Sequence, residues 1–457
     1  MSRIGNIIKV PDLRNKVLFT LMMLVLYRFG SYVPVPGIDQ NAVAAIEDQA
    51  RQGGVLAFLQ LFSGRALTRF SLFALGIMPY ITASIIMQIL AVVIPKLQEW
   101  QQQGAVGQRK TTQWTRYVTI GISILQSTGL VFLFHNGGGG LTGGQSNLDL
   151  VPGFSPAIVM LIVLTFTGGS ALLMWMGELI TTRGIGNGMS LIIFCSVVSG
   201  LPSAFTAVYS AENGAVKLAI FIAFFLVLLV FIVFIELGQR RIPVQFAKRV
   251  VGRRMYSGQS TYIPLKVNGA GVISIIFASS VLYLPVIISQ ILPVNKAGEP
   301  ENWAFHVQKF VNDHLVRSTS PLYLAFYGLL IVAFAYFYTA IQFDPHKQAD
   351  QIRKQGGFIP GIRPGYQTER YLAKILSRIT LPGALFVAGI ALIPAFVIGK
   401  SLGETTGGQQ LGFFGISILI AVGVALETVK QIDGQLMMRN YEGFLDPKSK
   451  SAKSSSK

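Results

Sequence analysis

Ten runs of about 20 predominantly apolar residues follow one another along this chain, and each is long enough to cross a hydrocarbon core of roughly 30 Å as a helix. They fall near residues 17–35, 71–94, 117–135, 155–176, 188–207, 217–236, 271–292, 321–341, 379–398 and 412–429. In lipid every backbone N–H and C=O must be paired inside the segment or within the protein, so the pattern predicts a polytopic all-α membrane protein with ten transmembrane helices. A chain of 457 residues that is 51% hydrophobic and only 13% charged, with a mean hydropathy of +0.54, agrees.

Charge orients the bundle. With the N-terminus inside, the segments 1–16, 95–116, 177–187, 237–270, 342–378 and 430–457 are cytoplasmic, and they hold 29 of the 38 Lys and Arg residues. The positive-inside rule therefore predicts that both termini are cytoplasmic. The first run contains Arg28, continues into Pro34 and Pro36 and lacks a small-residue cleavage site, so it is expected to be a retained span. Arg28 sits in its outer half, where a long side chain snorkels toward water. Cys195 is the single cysteine, which leaves neither an intrachain disulfide nor a cysteine metal cluster.

A net charge of +18 also raises the question of nucleic-acid binding. Topology signals and attraction to anionic lipid account for scattered basic residues. Two loops exceed that need. One runs from Arg240 to Lys266 and includes Lys248, Arg249, Arg253 and Arg254; the other runs from Asp344 to Arg378 and includes Phe358-Ile359-Pro360-Gly361-Ile362-Arg363-Pro364-Gly365. The prolines and glycines imply shaped loops, with a tip at Arg363. Two basic projections side by side suggest a dock for a large cytosolic partner, and charge alone leaves ribosomal RNA and a motor protein both open.

Catalytic readings find little support. Gly184, Gly186 and Gly188 mark a tight turn between spans four and five, but no strand precedes them as a dinucleotide fingerprint requires. Gly399-Lys400-Ser401 has Pro394 where a phosphate loop needs its leading glycine. His135, His306, His314 and His346 form no metal motif, so no cofactor is expected. A membrane-bound hydrolase would need a buried catalytic constellation. A secondary transporter would need polar groups at the midplane, where this chain has isoleucines. Glu178, Glu236 and Glu427 fall at cytoplasmic helix ends, within reach of water.

The segment Trp175 to Phe194 with its glycine turn closely resembles the SecY family. So do Phe73-Ala74-Leu75-Gly76-Ile77-Met78-Pro79-Tyr80-Ile81, Gln259-Ser260-Thr261 with Pro264-Leu265-Lys266-Val267-Asn268, and the Pro360–Gly365 tip. The resemblance runs from about Leu13 to Tyr441. It implies the large subunit of a protein-conducting channel, built as two pseudo-symmetric inverted halves of five helices around an hourglass pore, with a lateral gate between spans two and seven. On that plan residues 1–187 hold spans one to four, 188–236 spans five and six, 271–341 spans seven and eight, and 379–429 spans nine and ten. The basic loops are then 237–270 and 342–378, and the tail 430–457.

The resemblance implies a constriction ring of Ile77, Ile81, Met189, Ile193, Ile276 and Ile420. The first two pairs are each spaced by four and so share a helical face. Met189 stands where a branched aliphatic is commoner, and Phe414-Gly415-Ile416-Ser417 replaces the family's usual Gly-Gly-Thr-Ser. The apolar segment 53–68 is too short to span and is implied to be a re-entrant plug helix, carrying Leu56, Phe58, Leu59, Phe62, Ser63 and Gly64. Gln88 and Asn268 match polar positions of the lateral gate; an ordinary interhelical bond is the alternative for each. The implied partners are the small subunits SecE and SecG, the SecA ATPase, the ribosome, signal sequences, unfolded preproteins and the lipid bilayer. The implied location is the plasma membrane. Segment 294–320 carries no interpretable motif, and its length suggests an external cap.

Overall fold

A computed structural model describes residues 11–38, 63–64, 66–135, 154–209, 214–246, 249–251, 254–256, 260–291, 303–311, 314, 320–401 and 414–445. All ten expected spans are helices: α1 (Pro11–Gly30), α2 (Met78–Val93), α4 (Ala105–His135), α5 (Pro156–Arg183), α6 (Gly188–Tyr209), α7 (Gly214–Leu237), α8 (Ile273–Ile291), α10 (Pro321–Gln342), α12 (Tyr366–Ser401) and α13 (Phe414–Leu445). Three shorter helices join them: α3 (Pro95–Gln102), α9 (Trp303–Val311) within the uninterpreted segment 294–320, and α11 (Pro345–Lys354).

Helix surfaces identify the solvent. On α7 the buried residues are Phe221, Leu228 and Ile232, while Val216, Ile220, Leu226, Val227, Val230, Phe231 and Phe234 are exposed. On α1 Leu18, Leu21, Met22, Val25, Leu26 and Phe29 are exposed. Continuous apolar faces of this size suit lipid and would drive a water-soluble protein to associate.

The chain divides into two compact units, residues 1–204 with 420–457, and 205–419. In the first, α2, α4 and α5 pack side by side, and α1 lies on α5. In the second, α8, α10 and α12 pack together, and Ala270, just before α8, joins Ala335 and Ala384 in a buried cluster. Small residues let helix backbones come together in this way. Membership of the last helix changes along its length: a Cβ on Gly415 would lie 2.2 Å from the Ile390 carbonyl oxygen, in the second unit. Gly186 faces Thr428 in the first.

Span two starts later than its apolar run. Ser71 bridges to Pro34, residues 72–77 are turns, and α2 begins only at Met78, with Pro79 in its first turn. Phe73, Ala74, Leu75 and Ile77 are buried in the first unit, so their apolarity answers to protein packing and not to lipid. This stretch is pinned to the chain leaving α1: Val35 N donates to Phe70 O at 3.0 Å and Leu72 N to Val33 O at 2.9 Å. Phe70 takes the left-handed conformation, at φ 47°, a strained choice for an aromatic residue.

The two basic loops contain strands that the turn signals did not disclose. β1 (Gln239–Phe246) pairs antiparallel with β4 (Ser260–Lys266), and β5 (Gly357–Phe358) from the second loop adds to the other side of β1. Between β1 and β4, β2 (Arg249–Val251) and β3 (Arg254–Tyr256) form a separate hairpin. In β1 Ile242 and Val244 point inward and alternate with exposed neighbours, the period-two signature of a strand with one buried face. They join Leu265, Ile352, Ile359, Leu372 and Ile375 in one core shared by both loops. Pro243 is tolerated because β5 reaches only Gln245 and Phe246.

Candidate functional site: ring, plug and gate candidates and a basic loop body

The glycine turn sets the register of the pore-lining candidates on α6. A Cβ on Gly188 would sit 2.0 Å from the Gly177 carbonyl oxygen, so only glycine lets α6 start this close to α5. Gly188 N donates to Thr181 Oγ1 at 2.9 Å, and Met189 N donates to Asn187 Oδ1 at 3.1 Å, which caps the helix. From α1, Thr20 Oγ1 accepts from Ile185 N at 3.1 Å. Met189 and Ile193 follow one turn apart. On α2, Ile77 is the residue before the helix and accepts from Ile81 N at 3.1 Å, which fixes that pair on one face.

Ile77, Met189, Ile193, Ile276 and Ile420 are between 1 and 9% exposed, and Ile81 is half-buried. Five of the six belong to the first unit; Ile276, on α8, belongs to the second. The Met189 thioether packs on Gly177, where a Cβ would approach its Sδ to 2.4 Å. An unbranched side chain can fold into that slot and a β-branched one cannot, which accounts for methionine here.

Of the plug candidates, Ser63 and Gly64 are described; Leu56, Phe58, Leu59 and Phe62 lie outside the described residues. The two are held from three directions. Tyr27 on α1 is fully buried, its hydroxyl 2.6 Å from Ser196 Oγ on α6 and 3.3 Å from the Ser63 carbonyl oxygen, to which it donates. Arg28 Nη1 donates to the Gly64 carbonyl oxygen at 3.3 Å, and its guanidinium lies 5.5 Å from the centre of the Tyr32 ring. Leu67 N donates to Ser63 Oγ at 3.3 Å. Arg28 thus does more than reach for water: it binds a backbone carbonyl of the plug candidate. Sequence reasoning missed Tyr27 and Ser196, since a tyrosine and a serine inside apolar spans carry no pattern.

The gate candidates have partners within their own units. Gln88 Nε2 donates to Ser84 Oγ at 3.4 Å, one turn back on α2. Asn268 Nδ2 donates to Glu236 Oε2 at 2.9 Å, and its Oδ1 accepts from Gly271 N at 2.9 Å, just before α8. Glu236, expected to face water, holds the approach to α8. Glu178 likewise pairs with Arg116 of α4, whose Nε donates to Oε1 at 2.8 Å.

Among the docking candidates Arg363 is exposed at the loop tip, between buried Ile359 and the α12 start. Gly361 at φ 80° and Gly365 at φ 103° make the bend, and Thr368 Oγ1 donates to the Arg363 carbonyl oxygen at 3.0 Å. Arg249 and Arg254 lie on β2 and β3; Lys248 and Arg253 lie outside the described residues. Arg240 and Arg241 are also exposed, the latter 4.9 Å from the Tyr262 ring centre across the sheet.

The SecY family model matches residues 71–429. The chain is 47% identical over 449 residues to the protein translocase subunit SecY of Streptomyces scabiei, an overlap of 97% of this chain and 100% of the relative. It is 48% identical over 448 residues to that of Mycobacterium tuberculosis, with the same coverage. Among solved structures it resembles a protein-conducting channel at a TM-score of 0.57 and 17% identity, covering 92% of this chain and 91% of that one. It also resembles Sec61 of the canine ribosome–channel complex from the endoplasmic reticulum, at a TM-score of 0.53 and 17% identity, with the same coverage. These likenesses give the fold, ten spans in two halves.

Proposed function

This chain belongs to the SecY family, and from that premise we propose that it is the pore-forming subunit through which unfolded secretory polypeptides cross the plasma membrane, with apolar segments released sideways into lipid. The observation that carries the reading is the match over the whole length to protein translocase subunits. The buried apolar side chains at Ile77, Met189, Ile193, Ile276 and Ile420 support a ring that seals around a threaded chain without offering ions a polar path. Residues 53–68 are the plug, Gln88 and Asn268 the gate positions, and both termini are cytoplasmic.

The channel is a passive conduit in this reading, and the driving force comes from partners. Solved relatives are found with ribosomes, as in the canine ribosome–channel complex and the idle yeast Ssh1 complex bound to the 80S ribosome. We assign the same kind of dock here to the sheet-braced body carrying Arg249, Arg254 and Arg363, together with Lys248 and Arg253. The SecA ATPase uses the same surface, and SecE and SecG complete the channel in the membrane.

The test is reconstitution with the small subunits and SecA, measuring ATP-dependent translocation of a signal-bearing precursor by wild type and Arg363→Glu. Collapse of transport in the variant is the expected result. Equal transport by both would move the dock elsewhere, and none by wild type would return a small-solute transporter to contention.

A further inference from the structure

Apart from their own turn, where Ala66 N donates to Ser63 O at 3.1 Å and Leu67 N to Ser63 Oγ at 3.3 Å, Ser63 and Gly64 are held by two neutral hydroxyls and one arginine. Tyr27 cannot easily move: its ring stacks on Phe73 with centroids 5.8 Å apart, and Phe73 in turn fills the space at Gly30, where a Cβ would lie 2.2 Å from it. Gly64 adopts φ +60°, and a Cβ there would come within 3.1 Å of Ser196 Cα, 3.2 Å of the Tyr27 hydroxyl and 3.3 Å of Ser199 Oγ. The backbone at residue 64 is therefore seated directly on α6 and on the Tyr27 hydroxyl.

Each hydroxyl has one proton to donate, and here there are more acceptors than protons. Ser196 Oγ is 2.9 Å from the Ile192 carbonyl oxygen on its own helix and 2.6 Å from the Tyr27 hydroxyl; Tyr27 faces both Ser196 and the Ser63 carbonyl. Two arrangements satisfy this geometry. In one, Ser196 donates to Tyr27 and Tyr27 donates to Ser63 O, so the chain at residue 63 is bound. In the other, Ser196 donates to Ile192 O and Tyr27 donates to Ser196, so both hydroxyls are satisfied without Ser63. Releasing residue 63 then leaves no orphaned donor on α1 or α6, and the usual cost of a buried unmade hydrogen bond is avoided on that side.

We propose that Tyr27 and Ser196 form a two-position hydroxyl latch that holds the root of the plug closed and releases it at low cost, making them positioning residues for channel opening. The inference rests on the reading of 53–68 as the plug. Arg28 reinforces the closed position through Gly64 O, and its charge keeps the contact at the C-terminal end of α1.

Tyr27→Phe keeps the ring on Phe73 and removes only the hydroxyl; Ser196→Ala removes the other half. The assay uses the complete channel with its small subunits in vesicles, reading chloride efflux without substrate and transport of two precursors, one with an intact signal and one with a weakened signal. The latch predicts that Tyr27→Phe raises resting efflux and weakened-signal transport about 2- to 10-fold, the span of one net hydrogen bond, whereas Ser196→Ala, which leaves the Tyr27 hydroxyl no acceptor but the Ser63 carbonyl, lowers weakened-signal transport by a similar factor; a rise in Ser196→Ala would overturn the two-position arrangement. The double variant should match Tyr27→Phe. A purely structural role would instead lower transport of both precursors and leave resting efflux unchanged, which overturns the latch. So would wild-type values throughout, or additive effects in the double variant. If wild type transported neither precursor, the channel reading itself would fail and the latch with it.

Discussion

The C-terminal end of α1 and the body formed by the two basic loops are both held together by contacts remote in sequence, but by opposite means. At Tyr27 the contacts are hydroxyls and carbonyls, buried, few and individually weak. In the loop body seven buried aliphatic residues from β1, β4, α11, α12 and the loop between them make the core. The contrast follows from the surroundings. In lipid, apolar surface gains nothing by burial, so specificity there comes from close packing and hydrogen bonds. In water the hydrophobic effect builds a stable platform, and Arg363 stands exposed on it. On the function proposed above, one region would open and the other would bear a load.

Emptying the aqueous core is the strongest way to test that division. Leu372→Ala, at a fully buried position, should cost the loop body about 2–5 kcal/mol. The expected readout is faster proteolysis within residues 239–266 and 357–378 and loss of motor- or ribosome-dependent transport, with resting ion efflux unchanged. A matching rise in efflux would mean that the two regions yield together, and the comparison would break.

Gly64→Ala tests the other side. An L-residue in the left-handed region costs roughly 1–2 kcal/mol, and the added methyl meets Ser196 Cα, which is backbone and cannot step aside. Gly104→Ala supplies the control, since φ is +63° there but nothing lies within 4 Å of the added Cβ. Efflux should rise in the first variant only. Equal efflux in both would leave no role for the seat on α6.

A smaller effect is expected where the regions meet a shared principle, at Glu236. Glu236→Ala removes the acceptor that holds Asn268 and should lower the thermal stability of the second unit by about 1 kcal/mol, with Glu236→Gln recovering most of it. Failure of glutamine to rescue would show that the charge, and not the hydrogen bond, positions the approach to α8.

Much of this was legible in the residues. Ten long apolar runs give ten helices, and the crowded glycines at 184, 186 and 188 give the turn that seats α6. The late start of α2 was hidden because a turn buried in a membrane protein is as apolar as a span, so hydropathy reads Phe73 to Ile77 as helix. The strands were visible in principle: Ile242, Val244 and Phe246 alternate, as do Tyr262, Pro264 and Lys266 against Ile263 and Leu265. Prolines and basic residues masked that alternation as loop. Nothing in the sequence pairs Tyr27 with Ser196 or Arg28 with Gly64, because a backbone carbonyl has no letter of its own.

The gentlest test concerns the seam between α11 and α12 in the loop body. Asp344 caps α11 by accepting from His346 N at 3.0 Å, and His346 Nδ1 donates to Glu369 Oε2 at 3.0 Å across the seam. The Glu369 hydrogen bond and charge, then Asp350 and Asp344, favour the charged His346 ring and raise its pKa above the ordinary 6.5. Because the folded value is the higher one, the pair supports the seam fully below the unfolded value and fades as pH rises through the folded one. An NMR titration of the ring in the whole channel should give a raised midpoint that Glu369→Gln moves down toward 6.5, with hydrogen exchange at the start of α12 quickening over the same pH window. An unmoved midpoint would detach the histidine from the seam. The buried cluster that includes Ile352, Leu372 and Ile375 would then carry the seam between α11 and α12.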